Sequence, residues 1–177
     1  MASKNGNNLN KLDAPFLPEE VEWRVQSSGS KNGKPWAKVL VYVSNRAIQN
    51  RLDEVCGKTN WKNEYIEGPS GGILCGISIL LNGEWVTKWD GAENTKVESV
   101  KGGLSDSMKR AAVQWGIGRY LYNMGESWAV FVAPKQGQYN SKIDGKFYSW
   151  NPPTLPKWAL PKPSSNGVPK VEDISFG

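Results

Sequence analysis

The residues best suited to chemistry in this chain are basic and aromatic. Arg24 and Tyr42 lie in alternating apolar–polar segments, and Lys109 and Arg110 are adjacent in a helical pattern. Cations beside an aromatic ring are the composition that holds a single-stranded sugar–phosphate backbone. At about 100° per helical residue, with the apolar stripe as reference, Lys109 falls roughly 140° to one side and Arg110 roughly 120° to the other, so both leave the core. Asp106 sits on the outer face one turn back. The same spacing therefore also fits a solvated helix face with i,i+3 and i,i+4 ion pairs. Arg24 points away from the Trp23 face of its strand, and Tyr42 on the returning strand suits packing as well as stacking.

The sequence narrows the enzymatic alternatives. Histidine is absent, which excludes Ser-His-Asp and Cys-His nucleophile systems and every His-based metal site. The stretch Gly29–Pro35 has its glycines too close for a phosphate loop, and Pro35 stands where such a loop places its magnesium-binding hydroxyl. Gly116-Ile117-Gly118 lacks a third glycine and follows a helix, so it is no dinucleotide site. Cys56 and Cys75 form neither a disulfide framework nor a zinc site by themselves. Asp53, Glu54, Asp90 and Glu93 are the candidates for a metal-dependent nuclease. Adjacent Asp53 and Glu54 diverge by about 100° on a helix and read better as solvated charges. No cofactor is expected.

The elements that must position these residues follow from periodicity. Val21, Trp23 and Val25 alternate with polar neighbours as in a half-buried strand. Ser27–Lys34 reads as a hairpin loop, and Trp36–Val43 as the return strand. Ser44 or Asn45 offers an N-cap for a helix with Ile48, Leu52 and Val55 on its apolar face, ending at Gly57. Strands are expected at Trp61–Ile66, Ile73–Leu81 and Glu84–Asp90, the last two joined by an Asn82-Gly83 turn. A long amphipathic helix follows over about Val97–Trp115. Val97, Val100, Leu104, Met108, Ala111 and Trp115 form its stripe, and Gly116 and Gly118 bend or end it before Tyr120–Met124. The order predicts an α+β domain with an antiparallel sheet.

The 177 residues suffice for one domain plus tails. Residues 1–11 read as a disordered lead, 12–134 as the folded domain and 135–177 as a Pro-rich tail, which holds six of the 11 prolines, with Pro134 just before it. Trp150 and Trp158 in that tail argue that part of it docks. The net charge of +5 fits a nucleic-acid partner without requiring one. No apolar run is long enough to span a membrane, and Met1–Lys11 has no apolar signal region, so a reduced, cytoplasmic protein is expected.

The run from Asn45 through Arg46, Ile48, Arg51, Leu52, Asp53 and Glu54 to Gly57, with Asn60-Trp61 after it, is similar to a helix and G-x-x-x-W segment of the Rad fifty-two-type single-strand annealing proteins. Cys75–Ile79 with its hairpin fits the middle of that family. Asp106-Ser107-Met108-Lys109-Arg110-Ala111, running on to Trp115-Gly116, resembles its D-G-L-K-R-A helix. The likeness covers about Leu12–Trp128, and the short chain looks most like the phage members, the Sak-type proteins. The resemblance implies a β-β-β-α core that assembles into a homo-oligomeric ring of about ten or eleven subunits. Single-stranded DNA would lie in a positive groove with its bases outward for pairing, with no nucleotide hydrolysis, in recombination and repair. The groove residues carry over onto Arg24, Tyr42, Lys109 and Arg110.

The chain also departs from that pattern. Val113 and Gly72 stand where the family has basic residues. Lys96 and Lys101 are candidates for a second DNA contact, and Lys58, Lys62 and Lys88 are possible substitutes that also suit a solvated surface. The end, Val171–Phe176, is similar to the acidic, Phe-bearing tip of bacterial single-strand-binding proteins. It suggests docking of host recombination or single-strand-binding proteins, in an infected bacterial cell if the chain is phage-encoded. Two alternatives to an annealing protein remain: a module that protects single strands without pairing them, and a metal-dependent nuclease.

Overall fold

Alternation at Val21, Trp23 and Val25 produces the strand β1 (Val21–Lys31), which returns antiparallel as β2 (Lys34–Val43) in the computed structural model, whose described residues are 9–69, 71–92 and 99–162. The turn between them is only Asn32-Gly33, both at positive φ, the geometry that suits a two-residue hairpin. This corrects the expected loop over Ser27–Lys34. Ser27–Lys31 are polar yet remain in the ladder opposite Lys34–Lys38. One reason is Trp36, which lies across Gly29 so closely that a Cβ there would sit 2.9 Å from the indole.

Ser44 caps α1 (Asn45–Cys56), its Oγ accepting the Ala47 N–H at 3.2 Å. Ala47, Ile48, Leu52 and Cys56 are its buried face, and Gly57 at positive φ ends it. Arg51 turns back along the lead-in: its guanidinium donates to the carbonyls of Lys11, Leu12 and Ala14 and lies over the Phe16 ring. Trp61 Nε1 donates to Asp53 Oδ1 at 2.7 Å, fastening α1 to the strand that follows.

That strand, β3 (Trp61–Glu67), begins an antiparallel sheet with β4 (Ile73–Leu81) in the centre and β5 (Glu84–Ala92) beyond it. Cys75, Ile77 and Ile79 of β4 are fully buried. The helix α2 (Ser99–Gln114) packs on β4 and β5, giving an α+β architecture. Met108, Ala111, Ala112 and Trp115 are its buried residues of the expected direction. Val97 lies outside the described residues. Trp115 Nε1 donates to the Ile77 carbonyl at 2.9 Å, and Arg119 donates to the Val113 and Gln114 carbonyls, capping the helix C-terminus with a cation.

β6 (Ser127–Trp128) adds to the β2 edge. A third sheet has the order β7 (Val130–Val132), β9 (Lys146–Asn151), β8 (Tyr139–Ile143). Composition puts residues 135–177 in a tail, yet β8 and β9 are a hairpin paired to β7, and Trp150 is seated in the main core. The prolines gather before and after this hairpin, so they punctuate it rather than prevent it. Trp158 is exposed, whereas its neighbour Ala159 is buried.

Candidate nucleic-acid interface

A β-bulge decides which side chains meet. The register of the β1–β2 hairpin shifts between Val25 and Ser27, so Arg24 is opposite Leu40 and Glu22 is opposite Tyr42. Directly opposed residues in an antiparallel pair share a face. Without the extra residue Trp23, not Arg24, would share a face with Tyr42. Past the end of α2 the chain runs close against β2. Gly118 is at φ +71°, and a Cβ on it would lie 2.6 Å from Val43 Cγ2. This close approach sets α2 beside the Arg24–Tyr42 face.

Arg24, Tyr42, Lys109 and Arg110 consequently line one cleft of about 820 Å³, together with Asp106, Val113 and Tyr122. The Lys109 ammonium stands 4.6 Å from the centroid of the Tyr42 ring, and the Arg24 guanidinium 5.9 Å from it. Lys109 also donates to Ser105 Oγ at 2.9 Å. The side chains of Arg24 and Arg110 are 59% and 54% exposed, against 19% for Lys109. The two arginines therefore reach into the cleft, and the lysine supplies positive potential from beneath. Burial pushes the Tyr42 phenol above its ordinary value, with Glu22 adding to the shift and Arg24 opposing it, so the ring is neutral at pH 7.

Carboxylates hold the cations in place. Asp106 lies 3.7 Å from Lys109 Nζ and 3.9 Å from Arg24 Nη1. Arg110 makes no contact of this kind with Asp106; it donates through Nε to Asp90 Oδ1 at 3.1 Å on β5. Burial alone would lift the Asp90 carboxyl. Hydrogen bonds from Gln114, the Gly91 amide and Arg110, with the arginine charge, outweigh that and hold it below its ordinary value. Exposed ion pairs of this type contribute at most about 1 kcal/mol, whereas a phosphate offers charge-assisted, often bidentate hydrogen bonds to arginine. A passing phosphate can thus displace Asp106 from Arg24. Asp106→Asn is expected to tighten single-stranded DNA binding by about two- to fivefold at low salt, read by fluorescence anisotropy. Equal or weaker binding would show that Asp106 does not compete for the cations.

The remaining basic candidates lie elsewhere. Lys96 is outside the described residues, and of Lys101 only its place near the start of α2 is described. Lys62 stands 3.5 Å from Glu64 and over Trp85, Lys88 donates to the Gln114 carbonyl under Trp115, and Lys58 is exposed. Val113 gives the cleft an apolar wall where a cation was the family expectation, and Gly72 is buried at positive φ.

Of the acidic candidates, Asp53 is engaged by Trp61 and Asp90 by Arg110 and Gln114. Glu93 and the segment Val171–Phe176 lie outside the described residues. Among the described residues no three of His, Cys, Asp and Glu gather as metal ligands would, and no helix is long and apolar enough to cross a membrane. Both cysteines are buried thiols, and burial lifts Cys75 to about 11, which makes it a poor nucleophile. Sequence reasoning missed Asp90 as the holder of Arg110 and Gln114 as the donor that fixes Asp90, because the acid meets the arginine from a separate strand. It also missed Tyr122, a strongly exposed aromatic in the cleft. Its placement just after a helix-ending Gly-x-Gly was the available signal.

Comparison with known proteins identifies the family. The model of the Rad52/22 family of double-strand break repair proteins matches residues 5–72 and 79–139. The single-stranded DNA-binding protein DdrA of Deinococcus radiodurans is 34% identical over 153 residues, 85% of this chain and 66% of that protein. DdrA of Deinococcus deserti is 32% identical over 153 residues, covering 85% of this chain and 69% of that one. The chain thus spans about two thirds of the length of these relatives. The matched stretches carry β1, β2, α1, β5 and α2, the elements that build the cleft, and the chain belongs to the Rad52/22 family.

Proposed function

We propose that this chain binds single-stranded DNA along the cleft between the β1–β2 hairpin and α2 and anneals complementary strands, as a binding protein without nucleotide hydrolysis, in recombination and repair. The observation that carries the reading is the convergence of Arg24, Lys109 and Arg110 around Tyr42, from three elements, in a chain whose relatives are named for single-stranded DNA binding. The cations take the phosphates. With Lys109 and Arg24 over its ring, Tyr42 shapes the groove rather than offering a bare stacking platform. Bases left unstacked remain free to pair, which separates an annealing protein from one that stores single strands on aromatic rings.

One subunit offers few phosphate contacts, and a homo-oligomeric ring multiplies them without new chemistry. The exposed side chains Ile66, Trp85 and Trp89 share one face of the β3–β4–β5 sheet, a surface suited to a neighbouring subunit. The test is strand annealing with neither nucleotide nor metal present, alongside affinity for oligo-dT across a salt series. The expected result is accelerated duplex formation and an affinity that falls linearly on a log–log salt plot. Tight binding with pairing no faster than in protein-free solution would replace annealing by protection. Loss of a labelled strand on adding magnesium would bring in nuclease chemistry.

A further inference from the structure

Two tryptophans stand exposed at the far end of the hairpin, outside the cleft. Trp36 on β2 and Trp128 on β6 meet edge to face, ring centroids 6.1 Å apart, with 37% and 48% of their surfaces exposed. Together with Lys31, Asn32, Lys34 and Pro35 they line a second hollow of about 550 Å³. Among the described residues neither Lys31 nor Lys34 lies in ion-pair reach of a carboxylate. Each cation of the cleft, by contrast, has such a carboxylate.

The hollow is continuous with the cleft along one strand. Side chains alternate on β2, so Lys34, Trp36, Lys38, Leu40 and Tyr42 share a face. On β1 the partners Lys31, Gly29 and Ser27 share it before the bulge, and Arg24 after it. Tyr42 and the tryptophan pair thus lie on the same side of the hairpin, and the bulge on β1 brings Arg24 to that side as well. Trp36 and Tyr42 are about 20 Å apart along the strand. A DNA strand that advances about 3.4 Å along its axis per nucleotide when stacked as in a duplex, and more when extended, covers that distance with no more than about six nucleotides.

The tip is also held in place. Ser30, of the opposite parity, donates to Asp144 Oδ2 at 2.6 Å in the turn between β8 and β9. Lys38, between the two hollows, is paired with Glu126, so positive charge rises again only at the tip.

We infer that the Trp36–Trp128 corner is a second contact for the same single strand, with one nucleobase stacked on the exposed indoles and the adjoining phosphates held by Lys31 and Lys34. The inference rests on the cleft being the DNA site. A single stacked base per subunit leaves the bases in the cleft free to pair and sets the direction in which the strand leaves the subunit. Lysines without an ion-pair partner among the described residues, an open aromatic pair and a shared face with the cleft favour a nucleic acid as occupant over a second copy of this chain.

The experiment compares oligo-dT with an abasic sugar–phosphate strand of equal length. Trp36→Ala is expected to weaken oligo-dT binding about tenfold and leave the abasic strand unchanged, since stacking needs a base. Trp36→Phe should recover most of the loss. Lys31→Ala with Lys34→Ala, both at an exposed turn, should weaken both strands and lower the salt slope by up to about 2. Unchanged oligo-dT binding by both sets of variants, or an equal loss on the two strands for Trp36→Ala, would overturn the inference. A change in subunit number with DNA binding intact would overturn it in favour of a protein contact. The cleft variants keep the two readings apart: if Lys109→Ala with Arg110→Ala abolishes binding while the tip variants do nothing, the tip assignment alone fails.

Discussion

Replacing Lys109 and Arg110 together by alanine is expected to lower affinity for single-stranded DNA by about 100-fold or more near 0.1 M salt, from the loss of two charge-assisted phosphate contacts per subunit. The fold should survive. Arg110 is more than half exposed, and Asp90 keeps the Gln114 side chain and the Gly91 amide as donors when the guanidinium is gone. Lys109 gives up a hydrogen bond to Ser105 and its place at the Tyr42 ring, together about 1 kcal/mol at a partly exposed site. Thermal unfolding should therefore move little while anisotropy with labelled oligo-dT collapses and the salt slope falls by about 2. A folded double variant that binds as tightly as the parent chain would remove the cleft from consideration. The single variants are expected to differ: Arg110 projects to solvent and meets phosphate directly, so its loss should cost more than that of the largely covered Lys109.

The sequence carries part of this arrangement and is silent on the rest, for identifiable reasons. Helical spacing is enough to turn Lys109 and Arg110 away from the core, because the buried direction is marked by Met108, Ala111 and Trp115. Strand alternation is enough to separate Arg24 from Trp23. Neither rule says that Arg24 and Tyr42 share a face, since that depends on one inserted residue near Gln26, and a bulge has no strong local signature. The acid that holds Arg110 is similarly hidden. Spacing within α2 offers Asp106, and the fold supplies Asp90 instead, 20 residues away and on a different strand. The polar stretch Ser27–Lys31 misleads because hydropathy is a poor guide to a hairpin arm exposed to solvent. There the ladder is specified by the Asn32-Gly33 turn and by the fit of Trp36 on Gly29. Capping and turn chemistry at Ser44, Gly57 and Asn82-Gly83 are local, and these elements are accordingly the ones most readable from residue types alone.

Trp150→Ala is expected to destabilise the protein by about 3–5 kcal/mol, the range for emptying a large aromatic site in a core. The residue is 1% exposed. It stacks on Tyr139 with ring centroids 4.6 Å apart and donates from Nε1 to Ser141 Oγ at 2.9 Å. Gly137 lies so close to its backbone that a Cβ there would meet the Trp150 nitrogen at 2.3 Å. Neighbours fitted this tightly have little room to collapse into the space, and the loss is a large share of the roughly 5–15 kcal/mol that holds a domain together. The unfolding midpoint should fall by roughly 6–20 °C. The effect should reach DNA binding as well, through named contacts. Tyr139 Oη accepts the Trp23 amide at 3.4 Å, and Asp144 accepts from Ser30, so the β8–β9 hairpin braces β1, the strand that carries Arg24. For the same reason, a chain ending at Pro134 should be less stable than the whole, because β7 and the β1 edge would both lose their partner. A Trp150→Ala protein with an unchanged midpoint would mean that this hairpin merely rests on the domain. The architecture argues otherwise: a segment whose composition reads as a tail fills the core with its largest fully buried side chain.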